Sequence, residues 1–142
     1  MIQDKDDFNT IKLIDFGIGD QNKNSTKTND QYCGTLTFMA PEVARGKQYT
    51  KTVDIWAIGI IMHIIYTGGK HPIYTKEEDT YDTFKAKLQK IKTLEPHESF
   101  SQIARSLFMR LTSVSSAGRY TAGDALKHPW ITRKLNNSIP MN

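Results

Sequence analysis

The longest apolar run of the chain lies between residues 50 and 67. Apolar side chains leave almost no polar face there, and a helix that is apolar all round must be covered by protein or lipid. The run falls short of about 20 apolar residues and contains Asp54 and His63, which favours protein. Gly68 and Gly69 follow directly, as glycine does just past a helix end. The pattern therefore predicts a central buried helix over about residues 50–67.

Shorter patterns on either side predict smaller elements. Ile11–Ile14 is a candidate short strand, and Pro41 is suited to the first turn of a helix because proline loses no hydrogen bond there. Apolar positions at helical spacing and a threonine cap indicate the other helices. Helices are predicted over residues 41–46, 81–92, 99–112 and 121–127. The predicted fold class is mainly α, with one or two short strands.

Two segments have no apolar pattern. Residues 19–31 contain no apolar side chain at all, which predicts a long mobile loop. Ser25, Thr26 and Thr28 in this loop are candidate phosphorylation sites, and an unmodified polar linker is an equal alternative. At the other end, residues 133–142 are predicted to be a flexible tail, so that residues 1–132 form the folded domain.

Composition narrows the class of protein. The 19 basic and 15 acidic side chains are scattered, and the net charge of +4 is too small to indicate a nucleic-acid partner. The single cysteine, Cys33, permits no internal disulfide, which suits a reducing compartment. The first ten residues contain no apolar segment of the kind that a secretory signal has. We expect a soluble cytoplasmic protein that binds neither nucleic acid nor membrane.

A candidate metal ligand follows the predicted strand. Asp15 stands at its end, before Phe16 and Gly17, and a carboxylate there can coordinate a hard cation such as Mg²⁺. For three residues alone, a turn without a metal is the better explanation. Further short motifs follow in order along the chain: Gly34-Thr35, Ala40-Pro41-Glu42, Asp54 to Gly59, Arg119 and His128-Pro129-Trp130. In this order the motifs resemble the C-terminal (large) lobe of eukaryotic serine/threonine protein kinases.

The resemblance implies roles for the residues near Asp15. Asp15, with Phe16 and Gly17, would belong to the ATP site and hold the Mg²⁺ that bridges the phosphates. Thr35 resembles the threonine that supports the catalytic aspartate in serine/threonine kinases. Leu36, Thr37 and Phe38, here called the substrate wall, would meet the substrate residue that follows the phosphate acceptor.

The resemblance also implies a scaffold. Glu42 and Arg119 resemble the buried ion pair of the family, and Asp54 would reach back to the backbone of the catalytic loop. The helix after Asp54 would be the central scaffold of the lobe, and residues 18–39 would be its activation segment. The lysine-bearing helix over residues 81–92 and the His-Pro-Trp ending are most similar to the calcium/calmodulin-dependent kinase group.

Several motifs of the family pattern are missing from the chain. It contains no glycine-rich phosphate loop, no His-Arg-Asp motif and therefore no catalytic base. Leu36 stands where proline is usual, and Ser115-Ser116 where Asp-Pro is usual. The prediction is a fragment of a kinase that is inactive alone. It would use ATP and Mg²⁺ and phosphorylate a protein substrate only when the N-terminal half is supplied in cis or in trans.

A second interpretation is a non-catalytic, free-standing lobe that acts as a protein-binding module. Its docking surface would be the substrate wall and the basic helix around Lys85, Lys87 and Lys90. Under either interpretation, Asp54 and part of the apolar helix would lack the segment that they normally contact. We therefore expect the isolated chain to be poorly stable or self-associating.

Overall fold

The computed structural model of the 142-residue chain describes residues 12–15 and 36–136. The described part is mainly helical, which confirms the predicted fold class. Its six α-helices are α1 (Pro41–Ala44), α2 (Thr52–Tyr66), α3 (Tyr81–Lys90), α4 (Gln102–Leu111), α5 (Ala122–Leu126) and α6 (Pro129–Asn136). Single 3-10 turns form at Leu36–Phe38 and Ser116–Gly118.

The short strand predicted over Ile11–Ile14 does not form in its described part. Lys12 to Asp15 have no regular secondary structure, and Leu13 and Ile14 are exposed. A strand needs a neighbour to pair with, and apolar alternation alone does not supply one. Among the residues that the structure describes, the β-type pairing is limited to one bridge residue, Tyr49.

The helix α2 is the centre of the described fold, as predicted. On one side Ile55 and Met62 pack into a cluster with buried residues of α4, among them Phe108. On another side Trp56 and Ile60 join a second cluster. That cluster also contains Phe84 and Leu88 of α3 and Ala40 and Ala44 around α1. Two separate apolar cores are thus built on one helix.

A glycine in α2 sets its distance from the end of α4. A Cβ atom added at Gly59 would lie 2.4 Å from Cγ2 of Thr112 and 3.1 Å from Cβ of Leu111. Real Cβ contacts do not come so close, so only glycine permits this approach.

The prediction that α2 is covered all round is wrong on one face. Ile58, Ile61 and Ile65 are 51%, 45% and 74% exposed, and Asp54 is exposed as well. The four residues follow one another at intervals of four, three and four positions, so they lie along one side of the helix. We call them the open stripe. The described helices pack on the other sides of α2, and hydropathy alone could not show how many neighbours would be present.

Hydroxyl side chains cap three of the helices. Thr121 caps α5 as predicted: its hydroxyl accepts from the Asp124 backbone N–H, and Asp124 bonds back to the Thr121 N–H. Thr80 caps α3 with the same reciprocal pair of bonds, to Thr83, whereas the Ser101 hydroxyl caps α4 by accepting from the Ala104 N–H alone. The capping positions explain why α4 begins at Gln102 rather than at residue 99.

The final helix, α6, was not predicted. Pro129 begins this helix instead of ending the preceding one, which is consistent with the tolerance of proline in a first turn. Trp130 donates from Nε1 to Oη of Tyr66 at 3.1 Å and so ties α6 to α2. Residues 133–136, assigned from the sequence to the tail, belong to α6. None of the described helices is both long and apolar enough to span a bilayer.

Candidate substrate-binding site

The substrate wall forms a 3-10 turn directly before α1. Leu36, Thr37 and Phe38 are half-buried, and the turn is closed by a hydrogen bond of 3.0 Å from the Met39 N–H to the Leu36 carbonyl. Leu36 and Phe38 pack against the cluster around Trp56. The wall is therefore part of the core surface and not a free loop.

The side chain of His71 joins the wall to the loop after α2. Its Nε2 lies 2.7 Å from the carbonyl oxygen of Thr37, which is 34 residues away in sequence. Its Nδ1 accepts hydrogen bonds from the backbone N–H groups of Ile73 (3.1 Å) and Tyr74 (2.8 Å). Sequence reasoning missed His71, because no local pattern reports a contact over such a separation.

Burial of the His71 imidazole disfavours its charged form. Desolvation lowers the pKa of His71 below its ordinary value, and this outweighs the opposing effect of its bond to the Thr37 carbonyl. Desolvation likewise lowers the pKa values of His63 and His128. Low pKa values favour the neutral form of all three rings at neutral pH.

A buried ion pair fixes α1 to the rest of the lobe. Arg119 donates from Nη1 and Nη2 to the two carboxylate oxygens of Glu42, at 2.6 and 2.8 Å. Both residues are 4% exposed. Arg119 also donates to the carbonyls of Thr52 and Ser113, each at 2.9 Å, and its guanidinium lies 5.3 Å from the centre of the Trp56 ring. The structure thus brings together the two residues expected to pair.

Further polar contacts join α1 to the end of α3. Arg45 donates from Nε to the carbonyl of Gln89 at 2.9 Å and from Nη2 to that of Ile91 at 2.7 Å. Gln89 in turn donates to the carbonyl of Ala44 at 2.9 Å. The segment after the substrate wall is therefore attached to α2, α3 and the loop before Arg119.

Asp15 takes no part in these contacts. It is exposed and has a positive φ of 63°, a region that aspartate tolerates better than most residues. Within the described part of the chain, no group of three or more histidine, cysteine, aspartate or glutamate residues could hold a metal ion. Magnesium is usually bound by one or two carboxylates together with phosphates and water. Asp15 fits one such ligand position, and the described residues supply no complete site.

Asp54 at the start of α2 is exposed, and its carboxylate makes no side-chain hydrogen bond with the residues that the structure describes. The backbone that the resemblance assigns to it as a partner is not among them. The remaining predicted site residues lie outside the described residues: Phe16, Gly17, Ser25, Thr26, Thr28 and Thr35.

Comparison with known proteins gives concordant matches. The model of the protein kinase domain matches residues 1–131. The serine/threonine-protein kinase DCLK3 of Homo sapiens is 36% identical over 131 residues, which are 91% of this chain and 20% of that protein. CDPK-related kinase 5 of Arabidopsis thaliana is 32% identical over 140 residues, which are 97% of this chain and 22% of that protein.

A third relative is the calcium/calmodulin-dependent protein kinase type II subunit delta of Oryctolagus cuniculus. It is 31% identical over 134 residues, or 93% of this chain and 25% of that protein. The chain thus spans about a fifth to a quarter of the length of these curated relatives. Because the family model matches most of its length, the chain belongs to the protein kinase family.

Proposed function

We propose that the chain is the substrate-binding part of the large lobe of a serine/threonine protein kinase. Such an enzyme transfers a phosphoryl group from ATP to serine or threonine hydroxyls of proteins. The observation that carries the proposal is the bidentate Glu42–Arg119 pair, which attaches the segment after the substrate wall to α2. Catalysis of phosphoryl transfer depends largely on positioning, and a wall held in this way can position a substrate chain.

The roles proposed for the other residues follow from the resemblance. Asp15 would supply one oxygen ligand to Mg²⁺, with Phe16 and Gly17 beside it, and bound Mg²⁺ neutralises charge on the phosphates. Thr35 would support the catalytic aspartate of the complete kinase. Ser25, Thr26 and Thr28 remain candidate phosphorylation sites. The expected compartment is the cytoplasm.

The open stripe supports a further part of this proposal, namely that another segment of a kinase domain covers α2. Ile58, Ile61 and Ile65 together present a contiguous apolar surface, which soluble proteins usually cover. Asp54 at the end of the same stripe offers a carboxylate without a described partner. A segment with apolar side chains and backbone N–H groups would satisfy both. The 142-residue chain alone contains no catalytic base and is expected to be inactive.

The proposal is tested by joining the chain to the segment that precedes the matching residues in one of the relatives. The joined protein should transfer phosphate from labelled ATP to a protein, and acid hydrolysis should release phosphoserine or phosphothreonine. Asp15→Ala should abolish transfer, whereas Asp82→Ala, which removes another exposed carboxylate, should leave it unchanged. Full activity of Asp15→Ala would contradict the role of Asp15, and phosphotyrosine would contradict the substrate class.

The alternative, a free-standing binding module, relies on the basic face of α3. The structure weakens that face, because Lys87 is paired with Asp79 at 2.9 Å. An immunoblot of the source cells against the peptide of residues 134–142 separates the two functions. A band well above 16.2 kDa supports the kinase, and a single band at that mass supports the module.

A further inference from the structure

We propose that His71 is a positioning residue of the substrate wall: its Nε2–H holds the carbonyl of Thr37 and so orients Leu36, Thr37 and Phe38 toward the protein substrate. The inference rests on the proposed function, because the wall meets a substrate only if the chain is part of a kinase. It assigns a role to a side chain in the loop between α2 and α3.

The hydrogen bonds permit one tautomer of the ring. Nδ1 lies 3.1 and 2.8 Å from two backbone N–H groups, those of Ile73 and Tyr74, and must be an unprotonated acceptor. In a neutral imidazole the proton is then on Nε2, which faces the Thr37 carbonyl at 2.7 Å. Each ring nitrogen is therefore matched to its partner, and the ring cannot flip without losing these bonds.

The bond to Thr37 supplies what apolar packing cannot. Leu36 and Phe38 contact the core through apolar side chains, and such contacts hold a turn against a surface without fixing its rotation. A hydrogen bond to a carbonyl is directional, so it sets the plane of the peptide group between Thr37 and Phe38. The Met39–Leu36 bond is internal to the turn and does not orient it relative to the lobe.

The ring is itself held firmly. It packs at steep angles against Tyr74 and Phe84, with ring centres 6.1 and 5.9 Å away, and those two rings pack edge to face at 5.6 Å. Phe84 of α3 is fully buried. His71 thus links the substrate wall to α3: it bonds to Thr37 in the wall and packs against Phe84 of the helix.

Protonation would detach the ring of His71 from its own loop, while Nε2–H would still donate to Thr37. A proton on Nδ1 would point a donor at two N–H donors, so both bonds would be lost. Besides desolvation, the groups that act on the charge of His71 are the Thr37 carbonyl, His63 on α2, and Asp79 before α3. Burial and His63 disfavour the charged ring, whereas the Thr37 carbonyl and Asp79 favour it. The ring that holds the wall should therefore lose its anchorage as the pH falls through the lowered pKa of His71, which lies below the ordinary value of 6.5.

Three variants of the joined kinase distinguish the contribution of the Nε2 donor from that of the Nδ1 acceptor. His71→Phe removes both hydrogen-bonding functions. His71→Gln keeps a donor that reaches as far as Nε2, and His71→Asn keeps an acceptor near Nδ1 but cannot reach Thr37. His97→Asn is the matched control, because His97 also accepts from the N–H two residues onward but does not contact the wall.

The measured quantities are KM for a substrate peptide, KM for ATP, and kcat. His71→Phe and His71→Asn should raise the peptide KM by about twofold to tenfold, the range expected for one net hydrogen bond, with kcat and the KM for ATP unchanged. His71→Gln should recover part of the loss. The peptide KM of the wild type should rise below pH 6.5, and that of His71→Gln should not, since glutamine does not titrate.

The tautomer is read separately from the ¹⁵N chemical shifts of the ring in the 142-residue chain. Protonated Nε2 and bare Nδ1 at neutral pH support the inference; the opposite tautomer overturns it. An unchanged peptide KM in His71→Phe also overturns it. A joined wild-type kinase without transfer activity would instead overturn the proposed function and, with it, the role toward substrate, even if the tautomer is the expected one.

Discussion

The Glu42–Arg119 pair allows a quantitative prediction about stability. Glu42→Gln removes the charge of the acid with little change in volume and leaves a buried guanidinium without its counterion. Loss of one partner of a buried pair typically costs about 3–5 kcal/mol. Arg119 would keep its bonds to the carbonyls of Thr52 and Ser113, so the loss should be near the lower end, about 3 kcal/mol.

The reciprocal change should be more severe. Arg119→Met removes all four hydrogen bonds of the guanidinium and its contact with the Trp56 ring, and it leaves the Glu42 carboxylate buried. The expected loss is near the upper end, about 5 kcal/mol. Domains of this size have a total free energy of unfolding of about 5–15 kcal/mol, so this variant approaches the limit of folding.

Urea denaturation followed by circular dichroism measures both losses. With a slope of about 2 kcal/mol per molar urea, the midpoint should fall by about 1.5 M for Glu42→Gln and about 2.5 M for Arg119→Met. Lys87→Met is the control, because its lysine is 44% exposed. Although the Asp79 side chain is only 1% exposed, that carboxylate keeps its hydrogen bonds from the Thr75 N–H and the Thr83 hydroxyl, so the midpoint should shift less. A Glu42→Gln shift no larger than the control would refute the reasoning. The double variant should lose less than the sum, since the two side chains interact.

Three further predictions concern packing, surface and pH. Gly59→Ala should destabilise the chain by about 1–3 kcal/mol through its clash with Thr112, whereas Gly123→Ala in the exposed α5 should be neutral or stabilising; equal urea midpoints would contradict this. Ile61→Lys should reduce concentration-dependent association in sedimentation velocity; unchanged association would exclude the open stripe as its cause. Because the pKa values of His63, His71 and His128 are lowered by folding, the unfolded chain binds more protons than the folded chain when the pH is low. The neutral histidines therefore stabilise the fold fully above pH 6.5, and this contribution is lost as the pH falls through the lowered pKa values of the folded chain. A urea midpoint that rises on acidification from about pH 7.5 to about pH 5.5 would contradict that sign.

Local patterns were sufficient for five of the six described helices and for the family. The apolar run over residues 50–67 predicted α2 within two residues at its start and one at its end, because helical periodicity and a following glycine pair are properties of adjacent residues. Thr121 was likewise identified as a cap from its own position. The order of short motifs indicated a kinase lobe, since each motif is a few residues long and can be seen without knowing the fold.

Contacts between distant residues were decided by the tertiary structure alone. Whether a side of α2 is covered depends on how many other elements pack against the helix. The hydropathy of the α2 sequence does not predict that number. The bond from His71 to Thr37 joins two loops whose own sequences contain no sign of each other. The predicted strand is absent from Lys12 to Asp15 because a strand takes its stability from a partner. The sequence by itself thus determined five of the six described helices and their order, whereas α6 and the surfaces that the helices cover or leave open were decided by packing in three dimensions.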